Sequence, residues 1–156
     1  MLETKKTILD KAFQAIRQSL EVLRRAAADT HANSTSAESK AEGKYDTRGV
    51  EAAYLAEGQA EQVAQLEQAV LKLESLEIED EPDTVLAGSL VVVSTDSAEL
   101  NYLILPAGAG MSIEHDGEQT LIITPTSPLG SQLLGSELGA SIEIPDHANA
   151  FISEIY

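Results

Sequence analysis

Three carboxylates in mid-chain are the residues best suited to chemistry: Glu42, Asp46 and Glu51, in and just after the polar stretch from Thr30 to Asp46. Carboxylate oxygens suit Mg2+, which commonly takes only one or two protein ligands and completes its shell with water or substrate phosphates. Acids at the end of a projecting segment can therefore contribute to a metal site that another molecule completes, where the ion stabilises charge at a scissile phosphate. Glu42 and Asp46 are the candidate Mg2+ carboxylates, with Glu51 the third acid of the set. Each has a plainer role. Asp is among the best helix N-caps, and Asp46 stands where a second helix begins; Glu42 reads as a solvated loop acid. Lys40, Lys44 and Arg48 lie among these acids and weaken their pull on a hard cation. On that balance Asp46 is read as the cap. Tyr45 and Arg48 can touch a partner. So can Tyr54, although its place near a seam alanine reads first as packing.

Elsewhere the chemistry is thinner. His31, His115 and His147 have no metal-ligand spacing. Ser127 has no G-x-S-x-G context and no base nearby, so it is a helix cap rather than a nucleophile. No glycine-rich phosphate loop follows a strand. The chain shows no self-contained active site, and we expect neither an enzyme nor a cofactor of its own, apart from Mg2+ shared with a partner.

The elements that position these residues follow from hydrophobic period. Leu2, Leu9, Phe13, Ile16, Leu20, Leu23 and Ala27 keep a/d-type spacing and predict a helix over 4–29. Ala52, Ala56, Val63, Leu66, Val70 and Leu73 predict a second over 47–76. Neither is broken by proline, so they pair most simply as an antiparallel hairpin, an arm on the order of 40 Å long at 1.5 Å per residue. The polar connection between them is longer than most helix–helix links. Residues 77–84, with Pro82 among acids, form a linker. From Val85 the period switches to two. It predicts strands over 89–94, 100–105, 119–124, 141–144 and 150–155, with a short one near 111–114. The expected fold is α+β: an N-terminal coiled-coil hairpin over 1–76, the linker 77–84, and a small antiparallel sheet domain with one short helix over 85–156.

Charge narrows the function classes. The formal net charge is −16, which disfavours binding nucleic acid through phosphate neutralisation. All ten Lys and Arg lie at or before Lys72, while residues 81–156 carry eleven acids and no basic side chain beyond histidine. Such a domain is kept soluble by its charge or seeks a basic protein surface. Absence of cysteine suits a reducing cytoplasm. No apolar run is long enough to span a bilayer. An intramolecular hairpin leaves the chain a monomer.

One string carries more information. From Thr124 to Ile144 the chain reads as strand end, a proline-started short helix capped by Ser127, a glycine stop and a new strand. Ser127-Pro128-Leu129-Gly130-Ser131-Gln132-Leu133-Leu134-Gly135 resembles the SP-x-G-x-x-L-L-G-like segment of the C-terminal domain of the Gre-type bacterial transcription elongation factors. The order of hairpin, linker and sheet domain extends the resemblance over nearly the whole chain. Val85 to Val91 looks like that family's entry strand, and Glu51-Ala52-Ala53-Tyr54 resembles its asparagine-alanine-glutamate-tyrosine block. The resemblance implies a sheet domain similar in fold to FKBP-type prolyl isomerases. It implies an arm that enters the secondary channel of bacterial RNA polymerase, and a globular domain docked at the channel's rim. On it, Tyr45 and Arg48 at the tip and Ser127, Pro128, Leu129 and Gly130 at the corner become partner-binding residues, without direct sequence-specific contact to nucleic acid.

In cleavage factors of that family two tip acids hold a catalytic Mg2+ in the polymerase site. Aligned on Tyr54, this chain places Thr47 and Val50 at those two positions. The expected function is thus a regulator that occupies the channel, with stimulated transcript cleavage disfavoured. Two rivals stand beside it: a coiled-coil adaptor or oligomerisation protein, and an FKBP-like prolyl isomerase, which needs an aromatic-walled pocket.

Overall fold

The structure, a computed structural model, describes residues 2–35 and 47–156. Helix α1 runs Leu2–Thr35 and helix α2 runs Arg48–Glu74. The expectation of a helix ending at 29 is corrected. Nothing from Thr30 to Thr35 is glycine or proline, so no residue there interrupts the hydrogen-bond ladder. The chain divides into two compact units, residues 17–70 and residues 1–16 with 71–156.

In the first unit the two helices form the hairpin. Leu20 and Val70 are buried on the seam, and Leu23, Ala27, Val63 and Leu66 are half-buried there. Arg24 Nη2 meets Glu67 Oε1 at 2.7 Å, tying the two helices together beside that seam.

The second unit is built on a five-stranded sheet of order β3-β4-β2-β1-β5. Its strands are β1 Leu90–Ser94, β2 Glu99–Ile104, β3 Ser112–His115, β4 Glu118–Ile123 and β5 Phe151–Ile155. The sheet is mixed rather than wholly antiparallel, because β2 and β4 run parallel. The reason lies in the loop after β2. Leu105 N donates to Ile123 O at 3.0 Å, and Gly110 N donates to Ile122 O at 2.9 Å. The loop therefore crosses the end of β4 and sets β3 on its far side, so that β4 returns between β2 and β3. Asp116 (φ 53°) and Gly117 (φ 85°) close the β3–β4 hairpin as a two-residue turn with both residues left-handed. The strand expected over 141–144 is also corrected. That segment makes only isolated bridges, Ser141 with Phe151 and Ile144 with His147, because Pro145 lacks an N–H and Asp146 turns left-handed at φ 65°.

Both faces of the sheet are covered. On one, Val91, Val93, Tyr102, Ile104, Ile123 and Ile152 form a core with Leu133 of the short helix α3, Pro128–Leu133. On the other, Leu90, Val92 and Ile122 lie beneath the first turns of α1. Lys11 Nζ donates to Glu114 O at 2.9 Å, and a methyl group placed on Gly108 would fall 2.7 Å from Ile16 Cδ1. Lys5, 1% exposed, donates to the Glu79 carbonyl. Burial lowers its pKa, while the nearby Asp80 and Glu79 charges oppose that shift.

Candidate functional site

The corner after β4 is shaped by the chemistry of four consecutive residues. Ser127 sits at φ −69°, ψ 157° and caps α3: its Oγ accepts from Gly130 N at 3.0 Å and donates to Thr124 O at 2.7 Å. Pro128 begins the helix, where a missing N–H is harmless. Gly130 is demanded by close approach, since a Cβ there would stand 1.9 Å from Thr124 O and 2.8 Å from Ser127 Oγ. Leu129 is half-buried against the core.

This corner heads an open groove of about 870 Å3. Leu121, Ile123, Leu129, Ile142, Ile144 and Pro145 give it apolar walls, and Glu143, His147 and Asn149 stand among them. Gln132 clamps the far wall: its Oε1 accepts from Glu143 N at 3.0 Å and its Nε2 donates to Glu143 O at 3.4 Å. The groove has no Lys or Arg, in keeping with the charge of the whole segment. Nor does any Phe, Tyr or Trp line it, so the aromatic walls that a prolyl isomerase needs are missing from this groove. Beyond the SPLG string, the sequence reading assigns none of the groove residues to a site. Their signal was the alternation of Ile142 and Ile144 with polar neighbours, which marks a face without saying what covers it.

At the arm's end the structure describes part of the predicted set. Glu42, Tyr45 and Asp46 lie outside the described residues. The residue directly before α2 is Thr47, whose carbonyl accepts Glu51 N at 2.9 Å. Thr47 therefore holds the cap position that the sequence reading gave to Asp46, because the helix begins one residue later than expected. Glu51 is exposed in the first turn, and its Oε1 accepts from the Thr47 hydroxyl at 3.3 Å. Arg48 opens the helix and is exposed. Tyr54 is 70% exposed and Val50 54%. The packing role read for Tyr54 is corrected: it lies two residues from Ala52 and from Ala56, on the side of the helix away from the seam. The structure thus gathers Ser127, Pro128, Leu129 and Gly130 into one corner, and Arg48 and Glu51 into the first turn of α2.

Among the described residues no group of three or more His, Cys, Asp or Glu side chains could hold a metal ion. None of their helices is long and apolar enough to cross a membrane.

No protein-family model and no curated protein sequence matches this chain. Solved structures similar to it include the GreA factor homolog 1 (Gfh1) of Thermus thermophilus, 21% identical, covering 92% of this chain and 94% of that one, with a TM-score of 0.36. A second, described as the transcription factor Gfh1, is 18% identical and covers 93% of each chain, with a TM-score of 0.37. The Gfh1 of Thermus aquaticus is 18% identical over 94% of this chain and 95% of that one, with a TM-score of 0.35.

Proposed function

We propose that this chain is a divergent member of the Gre-type factors and acts as a regulator that binds RNA polymerase. In this reading the helical arm occupies the secondary channel and the acidic sheet unit docks at the channel's rim. The observation that carries it is the Ser127–Gly130 corner. The string that resembles the Gre-type segment is also the string whose cap, proline and glycine build the head of an apolar groove. That groove lies in a segment with eleven acids and no Lys or Arg, which favours a basic, apolar protein surface as the dock.

The arm's end supports occupancy rather than cleavage. Where cleavage factors carry two acids, this chain has a hydroxyl engaged with Glu51 and an exposed valine. Glu42 and Asp46 remain the candidates for Mg2+ shared with the polymerase, and their contribution is a matter for experiment.

Titrating the full chain against core polymerase at low and high salt tests the dock, because exposed charge pairs are screened beyond roughly 10 Å at 0.1 M salt. Binding that weakens with salt, and competition with a true cleavage factor, are the expected results; failure to bind at either salt would reject the reading. On stalled, backtracked complexes we expect little or no cleavage by the wild type. Mg2+-dependent cleavage that is lost in Asp46→Asn would restore the catalytic role of the tip acids.

A further inference from the structure

Helix α2 changes character between Val63 and Gln59. On the C-terminal side its covered apolar residues include Val63, Leu66 and Val70; on the N-terminal side its covered residues are Gln59, Ala56, Ala52 and Gly49. Helix α1 thins in the same way: from Arg24 to Asn33 only Ala27 and Thr30 are half-buried. A helix in a protein draws most of its stability from the packing of one face. The first turns of α2 are therefore held by methyl groups where the rest is held by branched side chains.

Two further observations fall at the same place. Gly58 stands in the interior of α2, exposed, and a methyl group placed there would meet nothing within 4 Å. Packing does not demand a glycine at this position; what glycine supplies is backbone freedom, at a cost in helix stability against alanine. Gln59, its neighbour, is half-buried, and its Oε1 is buried with no hydrogen-bond partner among the described residues. A buried acceptor left empty destabilises the closed state. A polar residue that sets the register of a seam does so by pairing across it, and this oxygen does not pair.

We propose that Gly58 and Gln59 form a joint in the arm: residues 48–57 of α2 open as one local unit while residues 63–70 stay paired. Opening hydrates the Gln59 oxygen, gives up only alanine-sized contacts and turns on the freedom of Gly58. The segment that moves carries Arg48, Val50, Glu51 and Tyr54, all exposed. Inside a channel such a joint lets the arm's end yield to the wall it meets. That use rests on the function proposed above, whereas opening in the free chain does not.

Amide hydrogen exchange in the free full-length chain, followed residue by residue by NMR, tests the joint. A step is expected, with residues 52–57 exchanging about tenfold or more faster than residues 63–70, as separate opening units do. Gly58→Ala should slow the outer segment about fivefold, the helix preference of alanine over glycine. Gln59→Leu should slow it about tenfold, by removing the unpaired oxygen and adding an apolar seam side chain. Both substitutions favour the folded helix, so misfolding does not obscure the result. Gln62→Leu, on the exposed face, should leave the step in place. Equal protection on the two sides of Gln59 in the wild type would overturn the proposal. So would any profile, stepped or smooth, that Gln59→Leu leaves unchanged, since the softness would then not lie at that side chain. Polymerase plays no part in this measurement, so failure of the joint and failure of the proposed function are separate results.

Discussion

The two units bury their apolar residues in different ways, and the difference separates what each can tolerate. Residues 17–70 place theirs on one seam, with Leu20 and Val70 buried and most of the other seam residues half-covered by the facing helix. The sheet unit covers its central strands from both sides, and Leu90, Val91, Val92 and Val93 are all buried. A seam leaves each helix an outer face answerable only to solvent or a partner, and there Tyr54 and Val50 stand exposed at no cost in packing. A doubly covered sheet constrains individual atoms. Ser153 shows this: the ladder of β1 and β5 shifts register there, and its hydroxyl donates to Val92 O at 3.1 Å.

The sharpest way to break the contrast is Gly130→Ala. A Cβ at 1.9 Å from Thr124 O cannot be accommodated by a side-chain shift, because the obstructing atom is backbone. We expect a loss of roughly 3 kcal/mol or more in urea denaturation, the scale of severe overpacking. A G130A protein as stable as wild type would show that the corner is no more constrained than the arm.

Leu20→Ala probes the seam from the other side. Leu20 is buried against the facing helix, so its truncation should cost about 2–3 kcal/mol, at the low end of the core range because a thin hairpin can close on the gap. Gln18→Ala, on the exposed face, should be nearly silent in the same assay. Equal effects at the two positions would contradict a one-sided seam.

Ser127→Ala should cost about 1 kcal/mol, the usual worth of a helix cap, with Asn at the same position retaining most of it. Thermal melts of the three proteins check this. If S127A loses polymerase binding while keeping its stability, the corner touches the partner directly as well as shaping the groove.

The smallest expected effect is a titration. The Tyr156 hydroxyl is pushed up to about 12 by burial first, and then by its hydrogen bond to Glu154 and the Glu154 and Glu81 charges. Tyrosine in an unfolded chain titrates at about 10. The unfolded state therefore releases its proton first. The stabilisation is fully present below pH 10 and is lost as the pH rises toward 12. Burial also raises Tyr102, so ultraviolet titration of the phenolates should show one late group fewer in Tyr156→Phe than in the wild type. A Tyr156 that titrates like a free tyrosine would show that its contact with Glu154 does not persist in solution.

Legibility in the sequence followed the range of the physics. The helices, their seam, the Asp116-Gly117 turn, the Ser127 cap and the proline start of α3 were all readable, because each depends on neighbours within a few residues. The continuous run Leu90-Val91-Val92-Val93 also carried a readable sign of a strand covered on both faces, which the two-residue period obscured. Other features were decided only in three dimensions. The parallel pairing of β2 with β4 depends on where the 105–111 loop crosses, and Gly130 is required because Thr124, six residues earlier, folds back onto it. The burial of Lys5 depends on Glu79, 74 positions away. Local sequence sets backbone preference and the spacing of apolar residues. Which side chains then lose water, and which polar atoms are left to find a partner, is settled when distant segments close over one another.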